Sequence, residues 1–124
     1  MTSRIFFSGI IVFLIIACME YLALVSDYVL LILWWWDIPM HILGGVWAGL
    51  IAAWFLVYEG QRPTASECVG FALLSGIVIE ILEYYAGLGG NPYMSYPVDT
   101  AKDIVMDCLG GYIAWRMLPL LKKS

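Results

Sequence analysis

Four long apolar stretches dominate the sequence, at residues 5–25, 40–57, 69–86 and 104–121. Each is close to the length of about 20 residues that an α-helix needs to cross the hydrocarbon of a bilayer. Charged residues make up only 13% of the 124 residues, about half of their share in a soluble domain. The sequence therefore predicts an all-α membrane protein with four transmembrane helices, folded as a single four-span domain over residues 1–124.

The basic residues predict how these helices are oriented. They cluster at the connections and termini that share one side of a four-span protein, namely Arg4, Arg62, Arg116, Lys122 and Lys123. The positive-inside rule makes that side cytoplasmic, so both termini are expected inside. An interfacial belt is expected at the opposite connections, which hold Trp34, Trp35, Trp36, Tyr84, Tyr85, Tyr93 and Tyr96. Glycines and prolines between residues 87 and 97 predict an irregular loop there.

The ionisable residues collect near the outer ends of the predicted helices. They are Glu20, Asp37, His41, Glu80, Glu83, Asp99, Asp103 and Asp107. Their spacing of three or four residues within each helix puts each set on one helical face. Because a carboxylate facing lipid costs several kcal/mol, such residues are expected in the bundle interior or a wet cavity. N-capping is a simpler explanation that remains open for Asp37 and Asp99.

The charge balance of this region predicts a bound cation or protonated acids. Seven carboxylates face one histidine and one plausible cationic partner, Lys102. If a cation binds, the expected ligands are Asp37, His41, Glu83, Asp103, Asp107, Glu20 and Asp99, and one or two divalent ions are expected. A set of many oxygens and one imidazole favours Mg, Mn or Fe, with Zn as an alternative. Glu80 is the predicted general base.

The second and fourth apolar stretches begin alike, which predicts an internal repeat. Residues 37–45 read DIPMHILGG and residues 103–111 read DIVMDCLGG, with six of nine positions identical. We interpret this as two duplicated helical hairpins, at residues 5–58 and 67–121. Equivalent helices run in the same direction, so the two pseudo-symmetric hairpins form a parallel repeat about an axis along the membrane normal.

Three short motifs resemble those of the VanZ-like and YjdF-like small bacterial membrane proteins. They are Asp37-x-x-x-His41-x-x-Gly44, Glu80-x-x-Glu83-Tyr84, and Asp99-Thr100-x-x-Asp103 followed by Gly110. The resemblance covers about residues 36–111. VanZ-like proteins usually have a glutamine and an asparagine where this chain has Glu83 and Asp107, so it is closer to the YjdF-like branch. The resemblance implies a multi-pass protein of the bacterial inner membrane, sometimes linked to glycopeptide tolerance, and implies no reaction.

These features lead to a functional expectation with two alternatives. We expect a metal-dependent enzyme whose partner is a membrane lipid or lipid-linked envelope precursor at the outer leaflet. The first alternative is a proton- or cation-coupled transporter or channel, which four helices would form best as a homo-oligomer. The second is a structural membrane protein with a stabilising ion. The net charge of −4 and the lack of a basic stripe exclude nucleic acid as a partner.

Overall fold

The computed structural model of the chain contains four α-helices. It describes residues 1–26, 35–87 and 93–122. The helices are α1 (Thr2–Val25), α2 (Asp37–Tyr58), α3 (Ala65–Ala86) and α4 (Tyr96–Lys122), and the described residues contain no strand. All four helices are long and apolar enough to cross a membrane. The predicted all-α, four-helix membrane fold is confirmed.

The ends of α2 and α3 follow from their local sequence. Gly60, just after α2, has a φ of 77°, a left-handed conformation that glycine adopts without steric cost. Thr64 then caps α3: its hydroxyl oxygen accepts from the backbone N–H of Glu67, and its own backbone N–H donates to the Glu67 carboxylate. The connection is therefore short, and α2 and α3 run antiparallel.

One buried apolar cluster joins the four helices at one end of the bundle. It contains Ile5, Leu50, Cys68, Ala114 and Leu118. These residues come from the start of α1, the end of α2, the start of α3 and the end of α4, so successive helices alternate in direction. Both termini thus lie at the same end, and their cytoplasmic location stays a prediction. Trp34 of the predicted belt, residues 88–92 of the predicted loop and Lys123 lie outside the described residues.

The parallel helices α2 and α4 meet at a backbone-to-backbone contact. A Cβ atom added to Gly45 would overlap the backbone of Asp107, and one added to Gly110 would overlap the carbonyl of Ile42. Small residues of this kind allow close helix approach in membranes. Because the contact lies just beyond His41 in α2 and Asp107 in α4, it brings the polar first turns of both helices together.

The outer helices α1 and α3 are placed differently. Helix α3 packs against both α2 and α4, whereas α1 packs against α2 and barely touches α4. Within the described residues no Cα atom of α1 lies within 8 Å of a Cα atom of α3. Two duplicated hairpins would give α1 and α3 equivalent neighbours. The observed contacts of α1 and α3 are not equivalent. The internal repeat stays a prediction from the sequence.

Candidate metal centre

The polar cluster lies where α2 and α4 begin. Asp37 and His41 share one face of α2 because they are one helical turn apart, and Asp99, Asp103 and Asp107 share one face of α4 for the same reason. Asp103, Asp107 and His41 are 3%, 5% and 8% exposed. The structure thus brings together five of the residues predicted to form the site. We call these five residues and Lys102 the charged cluster.

His41 is surrounded by carboxylates on both sides of its ring. Nδ1 lies 3.3 Å from Oδ2 of Asp107. Nε2 lies 3.4 Å from Oδ1 of Asp37 and 3.7 Å from Oδ2 of Asp103. When Nδ1–H donates to Asp107, the lone pair of Nε2 is directed between Asp37 and Asp103, which is the tautomer that a metal ligand needs.

Lys102 occupies the opposite side of the same carboxylates. Its Nζ donates to Oδ1 of Asp99 at 2.7 Å and to Oδ2 of Asp37 at 3.1 Å. It also lies 3.0 Å from Oδ1 of Asp103. Asp37 and Asp103 therefore each direct one oxygen to the lysine and the other to the histidine. This arrangement holds both carboxylates in place without using the oxygens that face His41.

The charged cluster carries more negative than positive charge. Its four aspartates face one lysine and one histidine, which leaves a net charge of −2 even if His41 is protonated. Ion pairs in a region of low dielectric constant are stabilising only when charge is compensated and hydrogen bonds are satisfied. A cation or additional protons are needed to balance this cluster.

Asp37, His41 and Asp103 could together hold a metal ion. One donor atom from each lies within 4.8 Å of the other two. Two atoms bound to one ion at about 2.0–2.2 Å lie about 3.3–3.6 Å apart in tetrahedral geometry. The two distances from His41 Nε2, 3.4 and 3.7 Å, need to change by only a few tenths of an ångström. We call this group the metal triad.

The other predicted ligands lie around the metal triad. Asp107 contacts the far nitrogen of His41, and Asp99 contacts Lys102. Glu20 on α1 and Glu83 on α3 line a cavity that also reaches Asp37, His41 and Asp107. Neither glutamate belongs to the triad. The geometry thus divides the seven predicted ligands into three with donor atoms close to one another and four that surround them.

Glu80, the predicted general base, is held between α3 and α4. The hydroxyl of Thr100 donates to its Oε2 at 2.7 Å, and the hydroxyl of Tyr96 donates to its backbone carbonyl at 3.4 Å. The side chain is 6% exposed, and its Oε1 has no hydrogen-bond partner among the described residues. These hydrogen bonds connect Glu80 to α4 rather than to the histidine.

N-capping does not explain the positions of Asp37 and Asp99. Trp36 is the N-cap of α2, and Asp37 is its first helical residue. Asp99 lies inside the first turn of α4, three residues after the helix begins at Tyr96. Both carboxylates instead contact Lys102. A helix start before the apolar stretch, rather than a cap, accounts for their positions.

The cavity beside the triad has a volume of about 500 Å³. Its walls are mostly apolar and come from α1, α2 and α3, with Phe13, Ile16, Trp47 and Ile79 among them. Sequence reasoning did not identify these cavity residues, since periodicity does not show which apolar side chains border a void. It named Lys102 as the cationic partner of these carboxylates, but it did not predict that the ammonium group contacts Asp37, Asp99 and Asp103 together.

Beyond the charged cluster, the α2–α4 interface is apolar. After the glycines, the buried residues on these two helices include Leu50, Ala53, Ala114 and Leu118. No ionisable side chain is buried in this part of the described interface.

No family model, curated protein or solved structure matches this chain. The resemblance to VanZ-like proteins therefore rests on the short motifs alone and stays a prediction.

Proposed function

We propose that this membrane protein binds a divalent metal ion through Asp37, His41 and Asp103, and uses it to act on a membrane lipid or lipid-linked envelope precursor. The observation that carries the proposal is the convergence of three donor atoms within 4.8 Å, with the other ring nitrogen of His41 on Asp107. A carboxylate behind a metal-binding histidine orients the ring and raises its basicity.

The charge of the charged cluster supports a divalent ion in particular. With His41 neutral, four aspartates and Lys102 leave a net charge of −3. A divalent ion reduces this deficit to −1, whereas a proton on His41 reduces it only to −2. Two carboxylates and one imidazole suit Zn, Mn or Fe, and Mg fits less well because it rarely binds imidazole.

Three protein ligands leave a coordination position for water or substrate, as in catalytic metal sites. A metal ion in such a site acidifies bound water and polarises phosphoryl or carbonyl oxygens. Glu83 lines the same cavity as His41, so it is better placed than Glu80 to accept a proton from a substrate or water in that cavity. The proposed reaction class is metal-assisted hydrolysis or group transfer.

The location of the site supports a substrate that resides in the membrane. The triad lies at the ends of helices that can span a bilayer, and the cavity beside it is mostly apolar. In the proposed orientation the site faces the outer leaflet of a bacterial inner membrane.

Metal analysis of the purified protein tests the triad directly. Wild-type protein, Asp103→Asn and Glu59→Gln are purified in a neutral detergent, stripped with chelator, and titrated with Zn, Mn and Fe(II). Glu59 is an exposed control at the α2–α3 connection. We expect one ion per wild-type chain, at least a tenfold loss of affinity in Asp103→Asn, and no change in Glu59→Gln. Circular dichroism verifies that each variant is helical.

Two results would overturn the proposal. Folded wild-type protein that binds none of the three metals would show that the triad is not a metal site. Equal affinity in Asp103→Asn and wild type would place the ion elsewhere. If metal binding is confirmed, hydrolysis of labelled lipid extracts by the loaded and stripped protein tests the enzymatic part.

A further inference from the structure

The gap between α1 and α3 forms a second recognition feature beside the metal triad. These two helices flank α2, and in the described part of the chain no Cα atom of one lies within 8 Å of a Cα atom of the other. The cavity of about 500 Å³ lies in this gap, within the size range of pockets for small organic molecules, about 300–1,000 Å³. Because its walls are formed by helices that are long and apolar enough to span a membrane, we expect an occupant to reach it from the bilayer.

The walls of the cavity require a largely apolar occupant. Phe13 on α1 and Trp47 on α2 pack together, with ring centroids 5.9 Å apart, and both line the cavity. Ile16 and Ile79 face it from the two flanking helices. Aromatic rings also attract organic cations through their π faces.

The ionisable side chains on the cavity wall are acidic except for one histidine. They are Glu20, Asp37, Glu83 and Asp107, with His41 between them. Asp107 is 95% buried, since only 5% of its surface is exposed. Lys102 is not on the wall, because it contacts the opposite sides of Asp37 and Asp103. An anionic head group would therefore meet four carboxylates and no lysine or arginine.

We propose that this cavity binds a lipophilic organic cation, a molecule with an apolar body and a single positive charge. In the metal-free protein, charge complementarity selects the cation over a phosphate-bearing lipid, because attraction and repulsion are both strong where the dielectric constant is low. A divalent ion in the metal triad would supply the positive charge that a phosphate-bearing lipid needs there. The apolar lining selects it over a hydrated metal ion. Glu20 and Glu83 are the specificity-determining residues, since they flank the cavity from α1 and α3 and are not in the metal triad. The inference does not depend on metal binding.

The test uses two ions of the same shape and opposite charge. Binding of tetraphenylphosphonium and tetraphenylborate to chelator-stripped protein in neutral detergent is measured by equilibrium dialysis, with empty micelles subtracted. We expect one saturable phosphonium site per chain, with at least tenfold weaker binding of the borate. The Glu20→Gln/Glu83→Gln double variant should bind phosphonium at least tenfold more weakly. Glu59→Gln removes one glutamate away from the cavity and should bind normally.

Several outcomes would overturn the inference. Equal binding of both ions would show simple apolar partitioning, and full phosphonium binding in the double variant would place the site elsewhere. A dimer in light scattering that excludes both ions would assign the gap to a second copy of the chain. Because the double variant keeps Asp37, His41 and Asp103, its metal titration separates this inference from the proposed function: either can fail while the other stands.

Discussion

Two neighbouring regions of the α2–α4 interface are built in contrasting ways. At one end four aspartates, a histidine and a lysine form the charged cluster, joined by contacts of 2.7–3.7 Å between side chains. Further along, the backbones themselves meet, and glycines lie at the contact. We call this second region the glycine contact and define it as Gly45, Gly49, Gly110 and Gly111.

The comparison separates what fixes the fold from what forms the site. The glycine contact tolerates no side chain at Gly45 or Gly110, so it sets the distance and register of α2 and α4. The charged cluster depends on that register, because His41 and Asp107 meet only if the backbones beside them meet. Its ionic groups are costly to bury, and they are better explained by ligand binding than by packing.

Removal of the lysine should have the largest effect on stability. Lys102→Met leaves three aspartates without their shared cation, and loss of one partner from a buried ion pair costs about 3–5 kcal/mol. The side chain of Lys102 is 17% exposed. Water that enters the charged cluster of the variant would solvate the aspartates, so the loss reaches the upper part of this range only if the cluster stays dry. The measurement is the free energy of unfolding in mixed micelles, without metal.

Two comparisons sharpen this prediction. Lys102→Arg keeps the positive charge and should lose much less stability than Lys102→Met. Added divalent metal should restore part of the loss in Lys102→Met, because the ion supplies positive charge to Asp37 and Asp103. Unchanged stability in Lys102→Met would mean that the carboxylates of the charged cluster are already neutral.

A methyl group in the glycine contact should have the next largest effect. In Gly45→Ala the new Cβ would overlap the backbone of Asp107, which cannot move as a flexible side chain can. Overpacking of this kind costs about 1–3 kcal/mol, and thermal unfolding followed by circular dichroism measures it. Gly70→Ala is the matched control, since nothing lies within 4 Å of a Cβ at Gly70. An equal effect in the two variants would refute the role of the glycine contact.

The fold was predictable because each helix is encoded locally. The apolar stretches gave four helices in the correct order, and the glycine and Thr64 signals account for the α2–α3 connection. The start of α4 was less clear: the helix begins at Tyr96, eight residues before its apolar stretch. Asp99 and Asp103 lower the hydropathy there although they are helical. The separation of α1 from α3 depends on tertiary packing, which no local pattern encodes.

The site was predictable in part, for a similar reason. Helical spacing identified the faces that carry Asp37, His41, Asp103 and Asp107, and the structure places these faces together. Spacing does not show which oxygen faces which partner. The division of labour between His41 and Lys102, on opposite sides of two carboxylates, arises from the relative rotation of α2 and α4.

Asp107 should affect metal binding through the histidine. In Asp107→Asn the side chain keeps its size but no longer offers a carboxylate to Nδ1 of His41. Loss of such an orienting partner lowers metal affinity about 10–100-fold, which a metal titration of the chelator-stripped variant measures. Asp99→Asn is the control, because Asp99 contacts Lys102 and not His41. If both variants lose affinity equally, total charge rather than orientation of the ring determines binding.

The smallest effect is expected far from the charged cluster, at the start of α3. Thr64→Ala removes the capping hydroxyl that accepts from Glu67, and loss of an N-cap costs about 1 kcal/mol. Thermal unfolding should detect this loss, and Thr64→Ser should recover most of it because serine keeps the hydroxyl. Metal affinity should stay unchanged, since α3 begins at the end of the bundle opposite the triad. A parallel loss of metal affinity would show that the two ends are coupled, and the separation of packing from site would then be wrong.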